Sequence, residues 1–137
     1  MATDLQKRID SYCKTAIENA ERFGKKLDFS EKSITDVEEI LNGYSKDEEI
    51  WSMAYIWGAY IGEVMRRNIG PNCLWTDEKI FDKETPHLKN NKSRAFPIDK
   101  AWKRIMNGPE DSIISFYKII ILTIYLHFPF PHISYSP

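Results

Sequence analysis

Ile50-Trp51-Ser52-Met53-Ala54-Tyr55-Ile56-Trp57-Gly58-Ala59-Tyr60-Ile61-Gly62-Glu63-Val64 is the stretch that decides the fold. At helical period it is apolar on nearly every side, and such a helix must be surrounded by other elements. It is therefore expected to be the central post of the structure. Gly58 and Gly62 stand four apart on one face, where another backbone can come close. Glu63 is the one charge inside the apolar part. Arg66 and Arg67 follow three and four residues on, within reach of its carboxylate along a helix.

Helical signals precede this stretch. From about Asp4 to Phe23, Leu5, Ile9, Tyr12, Cys13, Ala16, Ile17, Ala20 and Phe23 recur at three- and four-residue steps, giving a single apolar stripe. Thr3 or Asp4 is placed to cap this helix and Gly24 to end it. A second helix is expected to open at Ser30 or Ser33, with Ser33 and Asp36 at capping-box spacing, and to stop at Gly43. Ser45 with Glu48 marks the start of the central helix, and Gly70-Pro71 its end.

Beyond Pro71 the period changes. Cys73-Leu74-Trp75, Lys79-Ile80-Phe81 and Arg94-Ala95-Phe96 are short apolar pieces between turn formers, which reads as a small antiparallel sheet. Asp82 to Ser93 is charged and Asn-rich, and is expected to be an exposed, mobile loop. A helix returns after Pro97 and closes at Asn107-Gly108. Pro109 suits the first turn of another, in which Ile113, Ile114, Tyr117 and Ile121 would face inward. The fold expected is α+β: a helix-rich single domain with a small antiparallel sheet following a buried central helix. Its globular part is placed at residues 1–118. Residues 119–137, apolar, Pro-containing and without Lys, Arg, Asp or Glu, read as an atypical tail.

Composition sets limits on function. A chain of 137 residues with 42% apolar content suits one domain with a real core. A net charge of −1 argues against a generic polyanion binder. The charge is uneven: residues 1–49 carry eight Lys/Arg against twelve Asp/Glu, while Lys89 to Arg104 holds six basic residues against Asp99 alone. That basic segment contains Phe96 and Trp102, which admits a nucleic-acid reading. Trp102 fits the apolar face of its helix, however, so a solvated rim is the expectation. Two cysteines are too few for a disulfide framework, and Cys13 falls on an apolar stripe. The first residues lack the plan of a signal peptide, which favours a cytoplasmic protein. Ile119 to Tyr125 is far shorter than the ~20 residues of a membrane helix, so membrane association is not expected.

Candidate chemistry centres on Glu63. Its bland reading is an ion pair where apolar surroundings give way to solvent. Its functional reading is a partly buried carboxylate with a raised pKa, available for acid–base work or for holding a cation. His87, His127 and His132 lack metal-ligand spacing, and no Gly-rich phosphate loop occurs. No catalytic residue, metal or cofactor is therefore assigned. The four tryptophans read as core, with Trp75 beside a potential pocket between the central helix and the sheet. Glu63, Arg66, Arg67 and Trp75 are the candidate binding residues.

Three groups of residues resemble a family of small bacterial domains of unknown function. They are Phe23-Gly24 with Leu27-Asp28-Phe29-Ser30 and Ser33-Ile34; Gly58-Ala59-Tyr60-Ile61-Gly62-Glu63-Val64 with Arg66 or Arg67; and Phe96-Pro97 leading through Lys103-Arg104, Asn107-Gly108 and Asp111-Ser112 to Ser115-Phe116-Tyr117. The resemblance covers about residues 20–117 and implies no activity or catalytic residue. It stops at Lys118, which points to an altered C-terminus, such as a frameshift, in the tail. The function expected is a non-enzymatic protein-binding module, with an immunity protein that neutralises a bacterial toxin as its concrete form. The alternative is a small-ligand-binding protein or enzyme using Glu63 with Arg66 and Arg67.

Overall fold

The first apolar stripe folds as α1 (Asp4–Glu21) in the computed structural model, which describes residues 2–44, 49–80 and 82–125, Tyr125 by its backbone alone. Thr3 caps it as expected, its hydroxyl accepting from the Gln6 N–H at 3.0 Å. The second helix, α2 (Ser33–Leu41), begins without the expected capping box. Ser33 is already helical, and its hydroxyl faces the core. A chain of donors runs from the Phe29 N–H to the Tyr60 hydroxyl (2.9 Å), on to Ser33 Oγ (2.7 Å) and to the Ser30 carbonyl (2.6 Å).

The central helix is α3 (Ile50–Ile69), buried continuously from Trp57 to Met65. Ser45 and Glu48, expected to cap it, lie outside the described residues. α1 packs on one side of it, and α4 (Pro97–Asn107) presses on another. The two glycines are the reason α4 can approach. A Cβ on Gly58 would stand 2.4 Å from Ile98 Cα and 2.8 Å from its nitrogen. On Gly62 it would stand 2.4 Å from the Trp75 ring and 3.0 Å from Pro97 Cγ.

In the chain, the segment joining α3 to α4 forms the sheet: β1 (Cys73–Thr76), β2 (His87–Asn90) and β3 (Ser93–Ala95), in that order and antiparallel throughout. Trp75 stands opposite Leu88, and Leu88 opposite Ala95. The helix-rich α+β domain with a small antiparallel sheet after its central helix is thus observed. The middle strand is not where it was expected. Lys79-Ile80-Phe81 contributes only an isolated bridge from Ile80 to Lys83, with Phe81 outside the described residues. β2 comes instead from the segment read as an exposed loop. His87 and Leu88 are both buried there, and Asn91 turns the chain into β3 at φ +57°, a left-handed conformation that Asn tolerates.

After α4, Pro109 opens a 3-10 turn over Pro109–Asp111 rather than a helix, and α5 (Ile113–Tyr125) follows. Its inward face is Ile113, Phe116, Tyr117 and Ile120, while Ile114 and Ile121 are half-buried. α5 therefore runs straight through the 118/119 division, with Ile120 and Thr123 buried beyond it. Residues 126–137, the rest of the expected tail, lie outside the described residues. A chain ended after Lys118 is expected to lose about 2–5 kcal/mol with Ile120 alone, the usual cost of emptying such a site, and thermal melting would show it. Among the described residues, no helix is long and apolar enough to cross a membrane.

Candidate functional site

Glu63, Arg66 and Arg67 share one face of the C-terminal half of α3, and β1 brings Trp75 over Gly62 to meet them. The four candidate residues do converge. The Glu63 side chain is wholly buried. Its Oε2 accepts from Arg66 Nε at 2.7 Å, Trp75 Nε1 at 2.9 Å and Gln6 Nε2 at 3.2 Å. Its Oε1 accepts from Arg66 Nη2 at 3.0 Å and Arg67 Nε at 3.3 Å. Arg67 also lays its guanidinium 3.6 Å above the Phe29 ring. Gln6 had no signal in the sequence, because an amide at the margin of a helix stripe looks like any solvated side chain.

Burial pushes the Glu63 carboxyl up, but hydrogen bonds from Arg66 and Trp75 and the Arg66 charge outweigh it and hold the group below its ordinary value. The raised pKa of the functional reading is thereby overturned. A carboxylate has about four acceptor positions, and the five donors here occupy them. Ionised and saturated, Glu63 takes up no proton near neutrality and has no lone pair left for a substrate. It is a tie between α1, α3 and β1.

The basic segment is also corrected. Lys100, Lys103 and Arg104 are buried instead of forming a solvated rim. Arg104 is paired with Glu38 and donates to Asn42 at 2.9 Å. Glu38 in turn accepts from Ser112 Oγ at 2.7 Å and from the Ile114 N–H at 3.2 Å, capping α5 from across the molecule. Sequence spacing could not pair residues so far apart in the chain. Chemistry elsewhere is quiet. No group of three His, Cys, Asp or Glu among the described residues is placed to hold a metal. Burial pushes the thiols of Cys13 and Cys73 up, leaving them protonated and inert.

His87 stacks on Phe96 with centroids 4.3 Å apart, and its Nε2 lies 2.7 Å from Arg94 Nη1. Arg can only donate, so Nε2 accepts and the ring proton sits on Nδ1, which is buried. Burial, then the Arg94 charge, pushes its pKa down from 6.5 to about 4. A depressed folded value gives stability that is present above pH 6.5 and lost as pH falls through about 4. An NMR titration is expected to place the His87 midpoint near 4 and melting curves to fall across the same window.

An open cleft lies at the other end of α3, and a larger one of about 560 Å³ lies between α2 and α5. Trp51, Tyr55, Lys83, Thr85 and Asp99 line a cleft of about 440 Å³, with Asp82 and Glu84 at its edge. Asp99 accepts from Lys83 Nζ and from Thr85 Oγ1, each at 2.7 Å. Trp51, read from the sequence as core, is 47% exposed. It stacks on Trp102 at 5.5 Å and an interplanar angle of 23°, and the Tyr55 ring lies 6.5 Å away, tilted by 58°. Trp57 alone of the four tryptophans is fully buried. Compared with known proteins, the chain matches no family model, no curated protein and no solved structure.

Proposed function

We propose that this chain is a non-enzymatic protein-binding module, and that its concrete form is a cytoplasmic immunity protein that neutralises a bacterial toxin. The observation that carries the reading is Trp51. A half-exposed indole held rigid by a second indole is the kind of anchor that dominates binding energy at protein interfaces. The exposed carboxylates of Asp82 and Glu84 at the cleft edge, with the acidic first third of the chain, complement a basic partner face. A toxin that attacks nucleic acid carries such a face, since it must meet phosphates. The alternative, a small-ligand site or enzyme built on Glu63 with Arg66 and Arg67, has less support because that carboxylate is already saturated.

Co-expression with the protein encoded immediately upstream tests the reading. The neighbour alone is expected to arrest growth, this chain to restore it, and Trp51→Ala or Glu84→Lys to restore it poorly. A neighbour that is harmless, or that forms no complex with this chain, overturns the immunity assignment.

A further inference from the structure

The cleft of about 440 Å³ beside Trp51 joins aromatic surface to unspent negative charge. Trp51 stays half-exposed although Trp102 stacks against it, and its indole lines the cleft together with Tyr55. The rest of the lining comes from Asp82 to Thr85 and from Asp99. A turn closed by the Lys83 N–H on the Ile80 carbonyl at 2.9 Å, with Asp82 at φ +59°, presents that segment. Three carboxylates thus line the cleft against one ammonium. Lys83 and Asp99 meet at 2.7 Å, and Thr85 Oγ1 donates to the second Asp99 oxygen at 2.7 Å, so Asp99 is held on both sides. Glu84 has only a 3.7 Å approach to Lys79, with both side chains standing in solvent, and Asp82 is exposed. Two carboxylates are therefore left over beside two aromatic rings. Burial, then Tyr12 and Asp99, push the Tyr55 hydroxyl up, with Glu84 adding to the effect and Arg8 opposing it. Tyr55 is thereby a neutral ring within the field of the cleft's carboxylates.

We propose that this cleft receives the guanidinium of one arginine side chain of the partner, laid on Trp51 and paired with Glu84 and Asp82. The inference rests on the protein-binding reading and names the chemistry of the occupant. A guanidinium is planar and more weakly hydrated than an ammonium. It lies flat on an aromatic face while the N–H groups at its edge stay free for carboxylates. An apolar side chain would use the indole but strip water from carboxylates it cannot pair. A lysine would meet the rim as a point charge and stack poorly. The chain makes the same arrangement from its own residues elsewhere: Arg67 lies 3.6 Å above the Phe29 ring and donates to Glu63 at 3.3 Å.

The probe is N-acetylargininamide, followed through the Trp51 indole N–H by NMR at constant ionic strength, with the lysine and citrulline derivatives beside it. Citrulline keeps the shape of arginine and lacks its charge. The arginine probe is expected to move the Trp51 signal with a Kd on the order of 10 mM. The lysine probe should bind about threefold more weakly or worse, and the citrulline probe should leave the signal unmoved. Glu84→Gln, a change at an exposed side chain, should weaken the arginine probe about threefold. No saturable shift up to about 100 mM, an equal response to citrulline, or tighter binding of lysine overturns the proposal. In a second arm, each arginine of the upstream-encoded protein is changed to alanine and paired with Trp51→Ala. One of these changes is expected to cost the parent about tenfold or more in affinity, and Trp51→Ala much less. A complex that depends on Trp51 but on no arginine overturns the guanidinium and leaves the binding module standing. Absence of a complex removes the immunity assignment, and the arginine probe then decides the cleft by itself.

Discussion

Gly58→Ala is expected to destabilise the domain by about 3 kcal/mol or more, the upper part of the range for overpacking. The added methyl would stand 2.4 Å from Ile98 Cα, so the backbone of α4 must give way, and no rotamer change can relieve it. For a domain of this size the drop in Tm should be about 10 °C. Gly62→Ala should cost less, because its obstacle is the Trp75 ring, a side chain that can turn once its hydrogen bond to Glu63 is released. Gly43→Ala is the control. Its Cβ would meet only the Ile40 carbonyl oxygen at 3.5 Å, and the change should fall within about 0.5 kcal/mol. Melting curves of the three variants order the contacts. Equal melting of Gly58→Ala and Gly43→Ala would refute the close crossing of α3 and α4.

Glu63→Gln should be the next most damaging change. It replaces one of the acceptors of Arg66 or Arg67 by an amide N–H and leaves two cations without their counter-charge. Breaking a fully buried pair costs about 3–5 kcal/mol. Here the arginine side chains are 30% and 45% exposed and water partly replaces the carboxylate, so about 2–3 kcal/mol is expected. The pH dependence has a definite sign. A carboxyl held below its ordinary value contributes stability that is present above its unfolded pKa and lost as pH falls through the folded one. The gap in Tm between parent and Glu63→Gln should therefore close on going from pH 7 into acid. A gap that widens in acid would mean that Glu63 is neutral in the fold.

What the sequence made legible follows from period and from small residues. A stripe at helical spacing, a helix apolar all round and two glycines four apart each correspond to a physical requirement that local chemistry imposes. The same was true of the Glu63–Arg66–Arg67 group, since all three lie within one turn of a helix. Trp75 was singled out only as lying beside a potential pocket between the central helix and the sheet; its bond to Glu63 crosses elements and had no local signal. The misreadings share one cause. β2 is built from His, Lys and Asn, which look like loop until His87 stacks on Phe96 and Leu88 pairs with Ala95. Lys100 and Arg104 look solvated until Asp111 and Glu38 arrive from elsewhere in the chain. Trp51 carries the opposite lesson: it lies on an apolar stretch, yet nothing in the described fold covers half of it.

Calorimetric titration of the upstream-encoded protein against Trp51→Ala and Glu63→Gln, with melting curves of both, separates the binding face from the structural tie. Trp51→Ala is predicted to weaken binding by about 30-fold or more, as loss of an interface anchor does, while its Tm changes little. Glu63→Gln is predicted to melt lower and bind with the parent's Kd. Full affinity in Trp51→Ala together with lost affinity in Glu63→Gln would contradict this assignment and move the functional surface to the Glu63 cluster.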